Sequence, residues 1–409
     1  MHGWLEVSRA TIVTFCALIF VPLVTWFKDA AVVVLALGVL AILLSQNALR
    51  LRDILSSVKT PSGMFAGVFV LWSLLSLLWA PSAPAMAWFK AYAAIALGFV
   101  LAVALSRISV GVIKHVSGAA LMAIVTLLGL LLFERITNGF LVGLVRTSET
   151  TDQLLNVMNG GLVLLCCCSF SAAGLMRVRT QSWRYPALFI AAVLIVTASY
   201  RMDAVPVAVG AGLFSFLIVY RWGASSFVSL ALLVGAGALA WPALSSYATA
   251  AELNVWFTEA IHPNWGYRIT IWGRVSELIG QNPLIGCGFD SSRVVGETAG
   301  LLPDAAGRTS FLHPHNGMLQ VWLELGFIGV LLFLATAAFS LRRILESSPK
   351  PVSLAVTAGT MTASATIWLL SFGIWQGWWL AVLGLTVSAV VLCFRLDDES
   401  SEAQASSAN

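Results

Sequence analysis

Charge is scarce in this sequence. Only 10% of its 409 residues are Asp, Glu, Lys or Arg, against roughly 25% in an ordinary soluble domain. A single water-soluble core cannot absorb the 59% that are hydrophobic, which excludes a soluble enzyme or binding module. The net charge of +4 is spread too thinly to indicate nucleic acid. No P-loop is present, and Gly286-Cys287-Gly288 is a turn signal only. Of the six cysteines, Cys287 alone lies in a polar stretch, so no disulfide framework is visible. Cys166, Cys167 and Cys168 fall on an apolar helix, where consecutive side chains point in different directions; they read as small buried groups rather than a metal site.

What the chain has instead is long apolar runs. Twelve read as membrane spans, at about 10–27, 30–45, 64–80, 85–105, 111–133, 155–176, 185–199, 204–220, 225–247, 316–340, 353–372 and 375–394. The run at 10–27 is followed almost at once by another and lacks a small-x-small cleavage site, so the pair reads as a hairpin of spans rather than a leader. The expected architecture is an all-α polytopic membrane protein. Nine helices occupy 1–247, a long polar loop with an amphipathic helix occupies 248–315, and three further helices occupy 316–394. The acidic, then Ser/Ala-rich tail from 395 to 409 is expected to be disordered. With both termini placed in the cytoplasm, fourteen Lys and Arg residues fall on the cytoplasmic side. Four fall in short outer loops and four in the long loop. That asymmetry puts the long loop outside, where it can fold over the bundle and close a cavity. No outer loop contains an Asp-x-Asp pair suited to holding a divalent metal.

Three polar clusters would meet at that surface. The first is His313-Pro314-His315-Asn316, directly before a span whose helix N-terminus attracts phosphate and keeps a nearby imidazole neutral. The second is Arg268. In YRITIWGRVSELI, residues 267–279, the side chains of Ile271, Trp272, Val275, Leu278 and Ile279 form one helical face, and Arg268 falls near its middle. A guanidinium so placed either meets an anion or snorkels to water. The third is Tyr200-Arg201-Met202-Asp203, where Arg201 lies at the level of lipid phosphate or pairs locally with Asp203. Arg146 in the loop at 134–154 is a weaker candidate, since Glu149 and Asp152 could neutralise it.

Residues 313–333, HPHNGMLQVWLELGFIGVLLF, resemble the His-x-His-Asn…Leu…Glu-x-Gly signature of bacterial O-antigen ligases and related polymerases. Residues 267–289 are similar to the accompanying Arg…Trp…Pro-x-x-Gly-x-Gly block. Where many relatives carry Ser-Arg-Gly, this chain has Tyr200-Arg201-Met202. The resemblance implies a lipid-dependent glycosyltransferase of the GT-C-like architecture in the bacterial inner membrane, its active site facing the periplasm. Such an enzyme moves O-antigen polysaccharide from undecaprenyl diphosphate to a sugar hydroxyl of lipid A–core, in lipopolysaccharide biosynthesis, with inversion and without metal or cofactor.

On that reading His315, in the His-Asn pair at the heart of the signature, takes the acceptor proton, and Arg268 and Arg201 stabilise the departing diphosphate. His313, Asn316, Gln320, Arg146, Tyr200, Tyr267 and Trp272 are expected to contact substrate, and Glu324 to be structural. A polymerase acting on a second lipid-linked chain shares the signature. A transporter of lipid-linked sugars fits less well, because the polar groups gather on one face rather than at the bilayer midplane.

Overall fold

The computed structural model describes residues 21–45, 51–82, 84–145, 157–200, 202–299 and 310–408. Sixteen α-helices and one short 3-10 turn account for its regular structure, and no strand occurs among the described residues. In chain order they are α1 (Ala30–Ser45), α2 (Leu51–Val58), α3 (Pro61–Leu75), α4 (Ala85–Leu105), α5 (Val110–Ile136), α6 (Phe140–Val145), α7 (Asn159–Thr180) and α8 (Arg184–Ala198). Then follow α9 (Ala204–Trp222), α10 (Ala224–Ala250), α11 (Leu253–Ala260), α12 (Pro263–Gln281), α13 (Ser292–Ala299), α14 (Gly317–Glu346), α15 (Pro351–Leu370) and α16 (Gly377–Ala408).

Among the described residues nine helices are long and apolar enough to cross a membrane, and Ala30–Ala41 and Arg184–Ala198 are shorter apolar helices. These eleven coincide with the second to twelfth expected spans. Most of the first, 10–27, lies outside the described residues. Hydrocarbon leaves no other partner for backbone amides, which is why the apolar runs become helices. Sequence caps set several of their starts: Thr60 Oγ1 accepts the Gly63 amide at 3.2 Å ahead of Pro61, and His262 Nδ1 accepts the Asn264 amide at 3.2 Å ahead of Pro263.

The centre of the bundle is α7. Its GGLVLLCCCSFSAAG stretch is buried throughout, Cys166–Cys168 included, against α5, α8, α15 and α16. Small side chains permit that close approach of neighbouring helices. Two smaller apolar clusters lie toward the long loop. In one, Ile271, Val275, Leu278 and Ile279 of α12 pack on Leu319 and Leu323 of α14, which is the apolar face expected from the sequence. In the other, Phe289 and Trp375 pack with Tyr92, Met318, Val321 and Leu325.

Two features depart from expectation. The chain beyond Arg395, expected to be disordered, continues as helix to Ala408. Its Ala, Glu and Gln are good helix formers, and Asp397 anchors it to the start of α15 by accepting the Ser353 hydroxyl at 2.7 Å. The second is that α14, one uninterrupted apolar run in the sequence, is broken at Gly326, whose φ of 64° and ψ of −169° are non-helical. A break there frees the Leu323 and Glu324 carbonyls and the Phe327 and Ile328 amides, which would otherwise bond one another.

All four are taken by the segment after α12. Cys287 and Gly288 donate to the two carbonyls at 2.8 and 2.9 Å, and the two amides donate to Pro283 and Leu284 at 2.8 and 3.2 Å. The segments cross so closely that a Cβ on Gly286 would lie 2.5 Å from the Glu324 carbonyl, and one on Gly326 would lie 2.4 Å from that of Leu284. Gly286 also has a positive φ, 70°. The Pro-x-x-Gly-x-Gly and Glu-x-Gly motifs are therefore two halves of one backbone joint.

Candidate active site

The joint sets the loop-side end of α14 against α12, and the His-Pro-His-Asn segment runs into that end. Asn316 is the N-cap: its Oδ1 accepts the Leu319 amide at 3.0 Å, and its Nδ2 is buried without a hydrogen-bond partner. His315 adopts the left-handed conformation, φ 53°, a region His visits more readily than most residues. The imidazoles of His313 and His315 lie 4.2 Å apart, centroid to centroid.

Backbone partners assign the two rings different tautomers. The His315 amide donates to His313 Nδ1 at 3.2 Å, so that nitrogen is unprotonated and a neutral His313 carries its proton on Nε2. His315 Nδ1 lies 2.8 Å from the Ser371 carbonyl oxygen, which can only accept. His315 Nδ1 is therefore protonated, and its Nε2 holds a lone pair when the ring is neutral. Burial, with the neighbouring His315, Arg268 and Arg293, pulls the His313 pKa down to about 3, so this ring is neutral at physiological pH.

Arg268 belongs to the same cluster. Its guanidinium stacks over Trp265 at 4.9 Å and has no hydrogen-bond or ion-pair partner among the described residues. Burial lowers its proton affinity, and the Asp203 carboxylate lies near enough to oppose that shift. A half-buried guanidinium without an acceptor is costly unless an anion reaches it. Arg274, one and a half turns along α12, is satisfied: it bonds Glu277 at 2.6 Å and the Ala299 carbonyl at 3.0 Å.

Several residues expected to contact substrate make hydrogen bonds within the protein. Tyr200 is buried, and its hydroxyl donates to the Leu131 carbonyl at 2.7 Å. Gln320 is buried and used at both ends of its amide: Nε2 donates to Glu324 at 2.9 Å, and Oε1 accepts the Ile374 amide at 2.9 Å. Asn316 is buried as a cap, as described. Trp272 Nε1 donates to the Pro314 carbonyl at 2.9 Å, and the Tyr267 hydroxyl to that of Ser310 at 3.0 Å. Arg146 and Arg201 lie outside the described residues.

Glu324 is the hub of this support. Fully buried, it accepts the Asp290 amide at 2.9 Å, the Ser292 amide at 3.3 Å, the Ser292 hydroxyl, Gln320 Nε2 and Trp375 Nε1. So many donors are what a buried carboxylate requires. They bind together α14, the start of α13 and the 371–376 turn that holds His315. Among the described residues, no group of three or more His, Cys, Asp or Glu is arranged to hold a metal ion. Sequence reasoning missed Arg293, which sits close enough to affect His313, and the Ser371 carbonyl, a main-chain group with no sequence signal.

Residues 186–334, which span both motif blocks, match the family model described as O-antigen ligase. Three rickettsial proteins, each provisionally named a polysaccharide ligase, are similar. That of Rickettsia conorii is 26% identical over 266 residues, covering 64% of this chain and 63% of the relative, a little under two thirds of its length. That of Rickettsia prowazekii is 23% identical over 319 residues, 76% of each chain, and that of Rickettsia felis 29% over 158 residues, 38% of each. The segment that is similar to O-antigen ligases holds the paired histidines, the Arg268 guanidinium and the glycine joint that braces them.

Proposed function

We propose that this protein is an O-antigen ligase of the bacterial inner membrane. It transfers polysaccharide from undecaprenyl diphosphate to a hydroxyl of lipid A–core at the periplasmic face. The observation that carries this reading is the imidazole pair: His315, its Nε2 lone pair set by the Ser371 carbonyl, lies 4.2 Å from His313, on which the Arg268 guanidinium acts, a cation without a hydrogen-bond or ion-pair partner among the described residues. The acceptor hydroxyl attacks the anomeric carbon and its proton passes to His315 Nε2. The bond from that carbon to the diphosphate oxygen breaks with inversion, and the electron pair leaves with the diphosphate. Arg268 meets that growing charge, together with Arg201, and the Nε2–H of neutral His313 is a further donor to it. Diphosphate is a good leaving group, so its departure needs no strong general acid.

The basic-residue asymmetry supports cytoplasmic termini and a periplasmic site. Purified protein supplied with lipid-linked polysaccharide and lipid A–core tests the assignment. Glycosylated lipid A–core is the expected product. Lengthening of the lipid-linked chains instead would make the protein a polymerase, the reading its shared signature leaves next in line.

A further inference from the structure

A second cation reaches the site from an element outside the spans. Arg293 lies near the start of α13, the short helix whose leading amides are tied to Glu324. One turn on, Gly296 packs so tightly that a Cβ there would lie 2.2 Å from the Phe311 carbonyl oxygen, two residues before His313. Positions three apart on a helix share a face. Arg293 therefore looks along the same side of α13, toward the His313 segment, and it joins Arg268 in acting on that imidazole.

Unlike Arg268 it is exposed. It makes no hydrogen bond or ion pair among the described residues, although the Asp290 carboxyl is near enough to feel it. The two guanidiniums also differ in setting. Arg268 is half-buried and near Asp203, next to the first residue of the Ala204–Trp222 span, the level at which a lipid-tethered diphosphate would lie. Arg293 is carried by a helix that belongs to no span, at the rim, where a group arriving from water would pass first.

We propose that Arg293 is a specificity-determining residue that recognises a phosphate group on the incoming glycan acceptor. This rests on the ligase reading for its reaction, and its binding component can be tested apart from turnover. The protein is reconstituted in nanodiscs and supplied with phosphorylated lipid A–core or with the same material after phosphatase treatment. Arg293→Ala should raise the KM for the phosphorylated acceptor roughly tenfold, the scale of one charge-assisted hydrogen bond. The KM for the treated acceptor and for the donor should change little, and Arg293→Lys should recover part of the loss. Asp290→Asn, which removes the competing carboxylate, should lower the KM for the phosphorylated acceptor. A rise in donor KM, or equal effects on both acceptors, would overturn the proposal.

Direct binding of the two acceptors, followed by thermophoresis, separates the two readings. If the wild type binds the phosphorylated form more tightly and Arg293→Ala abolishes that preference, the anion site stands even should no sugar be transferred. If the variant keeps the preference, the site fails whatever the turnover.

Discussion

His313 and His315 are two residues apart, yet main-chain partners leave one ring presenting N–H and the other a lone pair. Substituting them should give different phenotypes. His315→Ala is expected to lower kcat by on the order of 10²- to 10⁴-fold, the usual contribution of a general base, with expression and membrane insertion unchanged. Normal turnover by that variant would remove His315 as the base. On α12, Arg268→Ala should weaken donor use, whereas Arg274→Ala should be milder, because Arg274 already has Glu277 and a carbonyl as partners. Equal losses would contradict the assignment of Arg268 to an anion.

His313 also links stability to pH. Its folded-state pKa of about 3 lies below the ordinary value of 6.5, so between those values the unfolded chain binds a proton that the folded protein refuses. Stability is therefore fullest above pH 6.5 and declines as pH falls through the window, by at most about 1.4 kcal/mol per pH unit. Melting temperature in detergent should drop from pH 6.5 to 5, with a shallower slope for His313→Gln.

At the scale of elements, the apolar runs announced the spans, and the periodicity of residues 267–279 announced the face by which α12 docks. The break in α14 was hidden because LELGFIGV is apolar on both sides of Gly326, and hydropathy does not register backbone conformation. Its meaning lies in pairing with a segment about forty residues earlier, a long-range fact that no window along the chain can contain. Tyr200, Asn316 and Gln320 show a related limit of sequence reading: each is buried and hydrogen-bonded within the protein, which no motif announces. Residues that brace a site and residues that touch substrate share the same motif, and only burial and hydrogen-bond partners separate them. Gly286→Ala and Gly326→Ala should each lower the melting temperature, since both positions combine a positive φ with contacts under 3 Å to facing backbone. Variants as stable as the wild type would show that the joint is not under that constraint.

For the whole molecule, composition and helix count agree on a multi-pass membrane protein, while orientation rests on the distribution of basic residues. Single cysteines at His262 and Arg342, in a background lacking reactive thiols, test it. Position 262 should react with an impermeant maleimide in intact spheroplasts and position 342 only after lysis; the reverse pattern would invert the topology. The contact between His315 and the Ser371 carbonyl spans 56 residues and joins the start of α14 to the turn between the last two helices. A growing chain that has inserted α14 already holds both histidines and the Arg268 guanidinium, but nothing yet fixes where the proton on His315 resides. With His315 as the proposed base, competence would arrive only with the final hairpin, and a half-made chain would stay inert until assembly is complete.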